Sequence, residues 1–129
     1  MRKKEEVAEF ENLEQQLQSF LDEVSELSRK KPNDPMNKFK LKFINTTLAK
    51  LNTLLARYRP FDDFEQFDVD DLPSNSDVVL ILSQYAGSVL RFRTDNTNFN
   101  TREREWYWVV DGNEGPWTKA PTHFKHDPK

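Results

Sequence analysis

The chain has 129 residues, a formal net charge of −3, 32% charged residues and no cysteine. That length suits one modest core and excludes a deep cleft walled by two large domains. The charge balance excludes a surface built to coat nucleic acid or an anionic membrane, and the lack of thiols excludes disulfides, zinc thiolate sites and cysteine catalysis.

Only three glycines stand against ten phenylalanines and three tryptophans, which favours long regular helices over a turn-rich β-domain. The first predicted element is a helix from about Lys4 to Arg29, roughly 40 Å long at 1.5 Å per residue. Phe10, Leu13, Leu17, Phe20, Val24 and Leu27 recur at alternating spacings of three and four. This is the apolar seam of a helix packed lengthwise on another. Glu5, Glu6, Glu9, Glu11 and Glu14 suit the positive end of its dipole, and Arg29, Lys30 and Lys31 the negative end. The opening Met1-Arg2-Lys3-Lys4 is followed by no apolar segment, so a secretory leader is not expected.

A second helix is expected from Asp34, as N-cap with Pro35 at the first helical position, to Arg59, where Pro60 stops it. Leu41, Ile44, Leu48, Leu51, Leu55 and Tyr58 repeat the seam arithmetic. Beyond its cap this helix carries Lys38, Lys40, Lys42, Lys50, Arg57 and Arg59 and no acid, so an antiparallel hairpin with the Glu-rich first helix satisfies charge as well as seam. The seam dominates, at about 1.5–3 kcal/mol per buried side chain against about 0–1 for an exposed ion pair. A second apolar stripe, Phe39, Phe43 and Leu54, cannot be buried by the same hairpin. A third helix or another subunit must cover it.

Residues 60–76 form the sharpest local pattern. Phe61, Phe64 and Phe67 fall at every third position among Asp62, Asp63, Glu65, Asp68, Asp70 and Asp71, with no base between. Two readings compete: an acidic-aromatic motif offered to a basic partner, or a connector whose rings lace it to the helices. Asp68-Val69-Asp70-Asp71 is similar to the D-x-D-D motif of class II terpene cyclases, whose large helical barrel does not fit into 129 residues. Those acids as divalent-metal ligands lack the further oxygens that a hard cation needs.

A third helix is expected over 77–94, with Ser76 as N-cap and Val78, Val79, Leu82, Tyr85, Ala86, Val89 and Leu90 on one face. A strand at Val78–Leu82 competes, because the run is short and β-branched. This longest apolar run is also far short of the roughly 20 residues of a bilayer span. The remainder, 95–129, reads as a polar loop over Asp95–Thr101, a strand at Glu105–Val110, a turn from Asp111 to Pro116, and a loosely held tail from Thr118. Trp106-Tyr107-Trp108 through Gly115-Pro116-Trp117 resembles the opening of a GYF-type proline-peptide-binding domain over about 12 residues, with Trp117 in place of the usual Phe. We take this as local convergence. Trp106 and Trp108 either pack on the helices or form an aromatic platform. In the tail, His123, His126 and Asp127 are a weak metal-binding pattern without a scaffold.

The expected fold is therefore a single mainly α domain: an antiparallel helical hairpin, a third helix and a small C-terminal Trp-rich β-hairpin. The expected function is a non-enzymatic protein–protein interaction or scaffolding module in the cytoplasm, self-associating or a subunit of a larger complex. Its candidate contact residues are Phe39, Phe43, Leu54, Phe61, Asp62, Asp63, Phe64, Glu65, Phe67, Asp68, Asp70, Asp71, Trp106 and Trp108. Alternatives are an acidic inhibitor or immunity-type protein for a basic target, and a small enzyme with a site between subunits that draws on Tyr85, Arg91, Arg93 or the acids. No cofactor, metal or membrane is expected. Nucleic acid is not an expected partner either, since the basic residues have acidic neighbours.

Overall fold

The computed structural model describes residues 3–122; the His123, His126 and Asp127 pattern lies outside them. Three helices, α1 (Lys4–Lys30), α2 (Lys38–Leu55) and α3 (Asn75–Asn96), are followed by strands β1 (Thr97–Asn100), β2 (Glu105–Val110) and β3 (Asn113–Thr118). α1 packs along both other helices, most extensively along α3. It runs antiparallel to α2, as Glu23 pairs with Lys40 and Gln16 accepts from Thr47. It is antiparallel to α3 as well: Lys31 at its end meets Asn75, and Glu14 in its first half meets Arg93.

The core follows the two seams with one shift. Phe10, Leu13, Leu17 and Val24 are buried as the spacing predicts, but Val7 and Leu21 join them while Phe20 and Leu27 are only half-buried. Two partner helices widen the buried sector of α1 beyond a single coiled-coil line. On α2, Leu41, Ile44, Leu48, Leu51 and Leu55 are all buried.

The start of α2 differs from the expectation. Asn37, not Asp34, caps it, accepting from the Lys40 amide at 3.1 Å. Pro35 pairs instead with Ser74 in an isolated bridge, the Met36 amide donates to Pro73 O at 2.8 Å, and Asn75 donates to Asp34 O at 2.9 Å. These long-range bonds keep 34–36 out of the helix, and Met36 is buried. The helix also ends early, in a 3-10 turn over Ala56–Tyr58 entered through Ala56 at φ +50°.

Residues Val78–Leu82 are helical, and α3 begins at Asn75, with its cap at Ser74 two residues before the expected one. Ser74 and Asp77 form a reciprocal capping box, with Asp77 N to Ser74 Oγ at 3.1 Å and Ser74 N to Asp77 Oδ2 at 3.3 Å.

The C-terminal hairpin β2–β3 gains a third strand. β1 leaves α3 without a loop and pairs antiparallel with β2, Thr97 opposite Trp108 and Phe99 opposite Trp106. The polar stretch expected as a loop is thus partly an edge strand, because β2 offers it a free row of backbone groups. The β2–β3 turn is only Asp111-Gly112, both at positive φ, the pattern of a two-residue hairpin. Gly115 and Pro116 lie in a bulge opposite Trp108, not in the turn. A side chain at Gly115 would stand 2.6 Å from Val110 Cγ2 and 2.8 Å from Trp108 O, so no other residue fits there without movement. Pro116, lacking an amide hydrogen, is tolerated because β3 is an edge.

Candidate functional site

The apolar stripe on α2 splits. Leu54 is half-buried against the core, whereas Phe39 and Phe43 are 69% and 55% exposed. One turn apart on the same face, they meet edge to face with centroids 5.0 Å apart. α3, expected as a possible cover, lies along α1 instead, since its own apolar face is satisfied there. Around the two rings, Lys40 is paired with Glu23 at 2.8 Å and Lys38 with Asp70 at 3.3 Å. Lys42 and Lys50 are exposed, with no ion pair among the described residues.

The acidic-aromatic segment is bound by its own chain. Asn45 donates from Nδ2 to Phe67 O at 2.8 Å and accepts the Phe67 amide at Oδ1 at 2.9 Å, closing a two-bond clamp like that of a neighbouring strand. Asn52 Nδ2 donates to Glu65 O at 3.0 Å, and Arg59 Nη2 to Phe64 O at 2.8 Å and to Glu65 Oε1 at 3.0 Å. Phe67 is buried, Phe64 half-buried against Phe67 and Tyr85, and Phe61 half-buried beside Phe64. The lacing reading therefore holds for the rings, and Phe67 belongs to the core instead of a contact surface. Asp62, Asp63, Glu65, Asp68, Asp70 and Asp71 all remain exposed along the outer edge.

The tryptophans also divide. Trp108 is fully buried, edge-on to Phe10 at 5.1 Å, with its indole N–H donating to Glu11 Oε2 at 3.1 Å. It is a core residue, because the strand alternation turns it toward α1. Trp106 is half-buried beside Phe99 at 5.5 Å, and Trp117 is exposed on the opposite face of the sheet.

Sequence reasoning missed a buried ion pair. Arg93 grips Glu14 with two parallel bonds, Nη2 to Oε1 at 2.6 Å and Nε to Oε2 at 2.9 Å, both side chains almost wholly buried. Its Nη1 donates to Thr118 Oγ1 at 2.7 Å and to Lys119 O at 3.1 Å, and the Trp108 ring lies 4.8 Å from the guanidinium carbon. Thr118 and Lys119, at the start of the stretch expected as a loose tail, are thereby tied to the helices. A cleft of about 290 Å³ opens beside the pair, lined by Glu11, Glu14, Gln15, Gln18, Arg93 and Lys119. Since protein atoms take the guanidinium's donors, the cluster acts as a pin joining α1, α3 and β3. The signal was legible: Glu14 stands four after Phe10 and three before Leu17, and Arg93 four after Val89, each on the buried face of its helix.

Of the residues weighed for an intersubunit enzyme, only Arg93 lines that cleft. Arg91 is exposed and donates to Ser88 Oγ at 3.1 Å. Tyr85 is buried, donating its hydroxyl to Asn52 Oδ1 at 2.5 Å. Burial pushes its phenol above the ordinary value, against the opposing pull of the Asn52 bond and of Arg59. Among the described residues, no three acids or histidines are grouped to hold a metal ion, and no helix is long and apolar enough to cross a membrane. No family model, curated protein or solved structure matches the chain, and the 12-residue resemblance in the sheet stays local.

Proposed function

We propose that this chain is a non-enzymatic protein-interaction module whose docking face is the outer side of α2. The observation that carries the reading is the Phe39–Phe43 pair, 69% and 55% exposed on a rigid helix. Each ring would gain about 1.5–3 kcal/mol on full burial, and no segment among the described residues covers them. Aromatic anchors with a charged rim are the usual centre of a protein interface. Here the exposed charges beside the rings are Lys42 and Lys50 on α2.

The face is tested with the photo-crosslinker p-benzoylphenylalanine placed at position 39 and, as a control, at Gln84 on the exposed side of α3. We expect one adduct of defined, mass-identified partner from position 39, lost with Phe43→Asp and absent from position 84. Equal or absent labelling at both positions refutes the proposal. The Phe39→Asp/Phe43→Asp variant should keep its helical circular dichroism, and unfolding would show that the rings support the core.

A further inference from the structure

We infer that the α2 face receives an acidic amphipathic helix of a partner protein. Its apolar side chains would seat on Phe39 and Phe43, and its carboxylates would meet Lys42 and Lys50. The inference rests on the docking reading above and adds the partner's chemistry. α2 carries four lysines and no acid from Lys38 to Leu55. Two of the four are neutralised within the chain, Lys38 by Asp70 at 3.3 Å and Lys40 by Glu23 at 2.8 Å. Lys42 and Lys50 stay exposed, with no ion pair among the described residues.

Their placement follows from helix geometry. At about 100° and 1.5 Å per residue, Lys50 falls between the directions of the two rings, roughly 10 Å beyond Phe43 along the axis. Lys42 stands about 60° round from Phe39, almost level with Phe43. Asn45 and Asn52, which hold the connector, point about 140° away from the rings, so the connector runs on the opposite flank. Thr46 and Thr53, also exposed, spend their hydroxyls on Lys42 O and Ala49 O of their own helix. Two ammonium groups are therefore the polar chemistry left on this face. An ammonium donates and cannot accept, so what answers it is an anion.

Backbone chemistry selects a helix as the form of the partner. The interior of α2 has its amides and carbonyls bonded within the helix, so an extended segment laid across it would find no backbone partner. A docked helix brings its own backbone bonds and needs only side-chain contact. Its residues at i and i+3 or i+4 straddle the ring pair, and a carboxylate two turns further reaches Lys50. A flat anionic membrane fits less well. It would also approach Glu23 and Asp70 on the two flanks, in a chain of net charge −3.

The test is fluorescence anisotropy of the full chain with a labelled peptide of about 20 residues, long enough to hold a helix. The peptide carries leucines at i, i+3, i+4 and i+7 with glutamates beside them. The parent chain should bind it, and Lys42→Glu/Lys50→Glu should weaken binding about tenfold or more, because like charges then oppose. A second peptide, with lysine at every glutamate, should reverse the order and prefer that variant to the parent. A third, with serine at every leucine, should bind neither. The inference is overturned if the parent ignores the glutamate peptide, or binds glutamate and lysine peptides equally. Capture of the parent by phosphatidylserine vesicles, without binding of the peptide, overturns it as well. If position 39 still gives its specific adduct in those cases, the docking face stands and only the partner's acidity is lost. Loss of both adduct and peptide binding removes the face itself.

Discussion

Glu14 and Arg93 illustrate how one residue pair can hold three elements together. Removing two charges from water is costly, and the bidentate geometry with its extra bonds to Thr118 and Lys119 offsets that cost. Arg93→Met alone should lower stability by about 3–5 kcal/mol in urea denaturation, since it strands a buried carboxylate. Adding Glu14→Leu should recover most of that loss, because two apolar side chains need no desolvation. A double variant no better than the single one would assign the loss to the Thr118 and Lys119 bonds instead. Tyr85 makes a pH prediction. Its pKa is raised in the fold, so above about pH 10 the unfolded chain loses the phenolic proton while the folded chain keeps it. The folded state then binds more protons, and stability falls as pH rises, by up to about 1.4 kcal/mol per unit. Below pH 10 this group contributes no slope. Tyr85→Phe should make the decline above pH 10 shallower in thermal melts, at a fixed cost of about 1–2 kcal/mol for the hydroxyl bond to Asn52.

The connector shows how an element without regular structure is kept in place. Its backbone bonds go to side chains, Asn45, Asn52 and Arg59, because it lies where no strand can pair with it. Asn45→Ala should release it, leaving the Phe67 amide and carbonyl unpartnered at a cost of about 1–3 kcal/mol. Hydrogen exchange at Phe67 should quicken well beyond that of the α2 core amides. Uniform quickening across both would mean that the clamp supports the whole fold. Gly115→Ala should destabilise the sheet, with near-ultraviolet dichroism of the tryptophans lost before helical signal. The three-residue aromatic spacing marked the lacing rings in the sequence, whereas the clamp residues on α2 looked like ordinary helix positions. Asp34-Pro35 carried a sound local start signal for α2. Backbone bonds to Pro73 and Asn75, some forty residues away in sequence, outweigh it.

Across the whole molecule, the packed core leaves outside the Phe39 and Phe43 rings on α2 and the acids of the connector. Periodicity alone specified the helices and the antiparallel hairpin, because an apolar seam has one low-energy way to leave water. Strand composition specified β2, for local steric reasons, while the turn expected over Asp111–Pro116 closes in two residues because β3 pairs from Asn113 onward. Three things depended on the chain folding back on itself. The polar residues 97–100 became a strand only because β2 presented an unpaired edge. Glu14 and Arg93, 79 residues apart, became a core pair only because α1 and α3 brought them together. Phe39 and Phe43 stayed outside because α3 found more apolar surface on α1. Local signals act within a turn or two of the backbone, but burial is decided by which surfaces compete for one another.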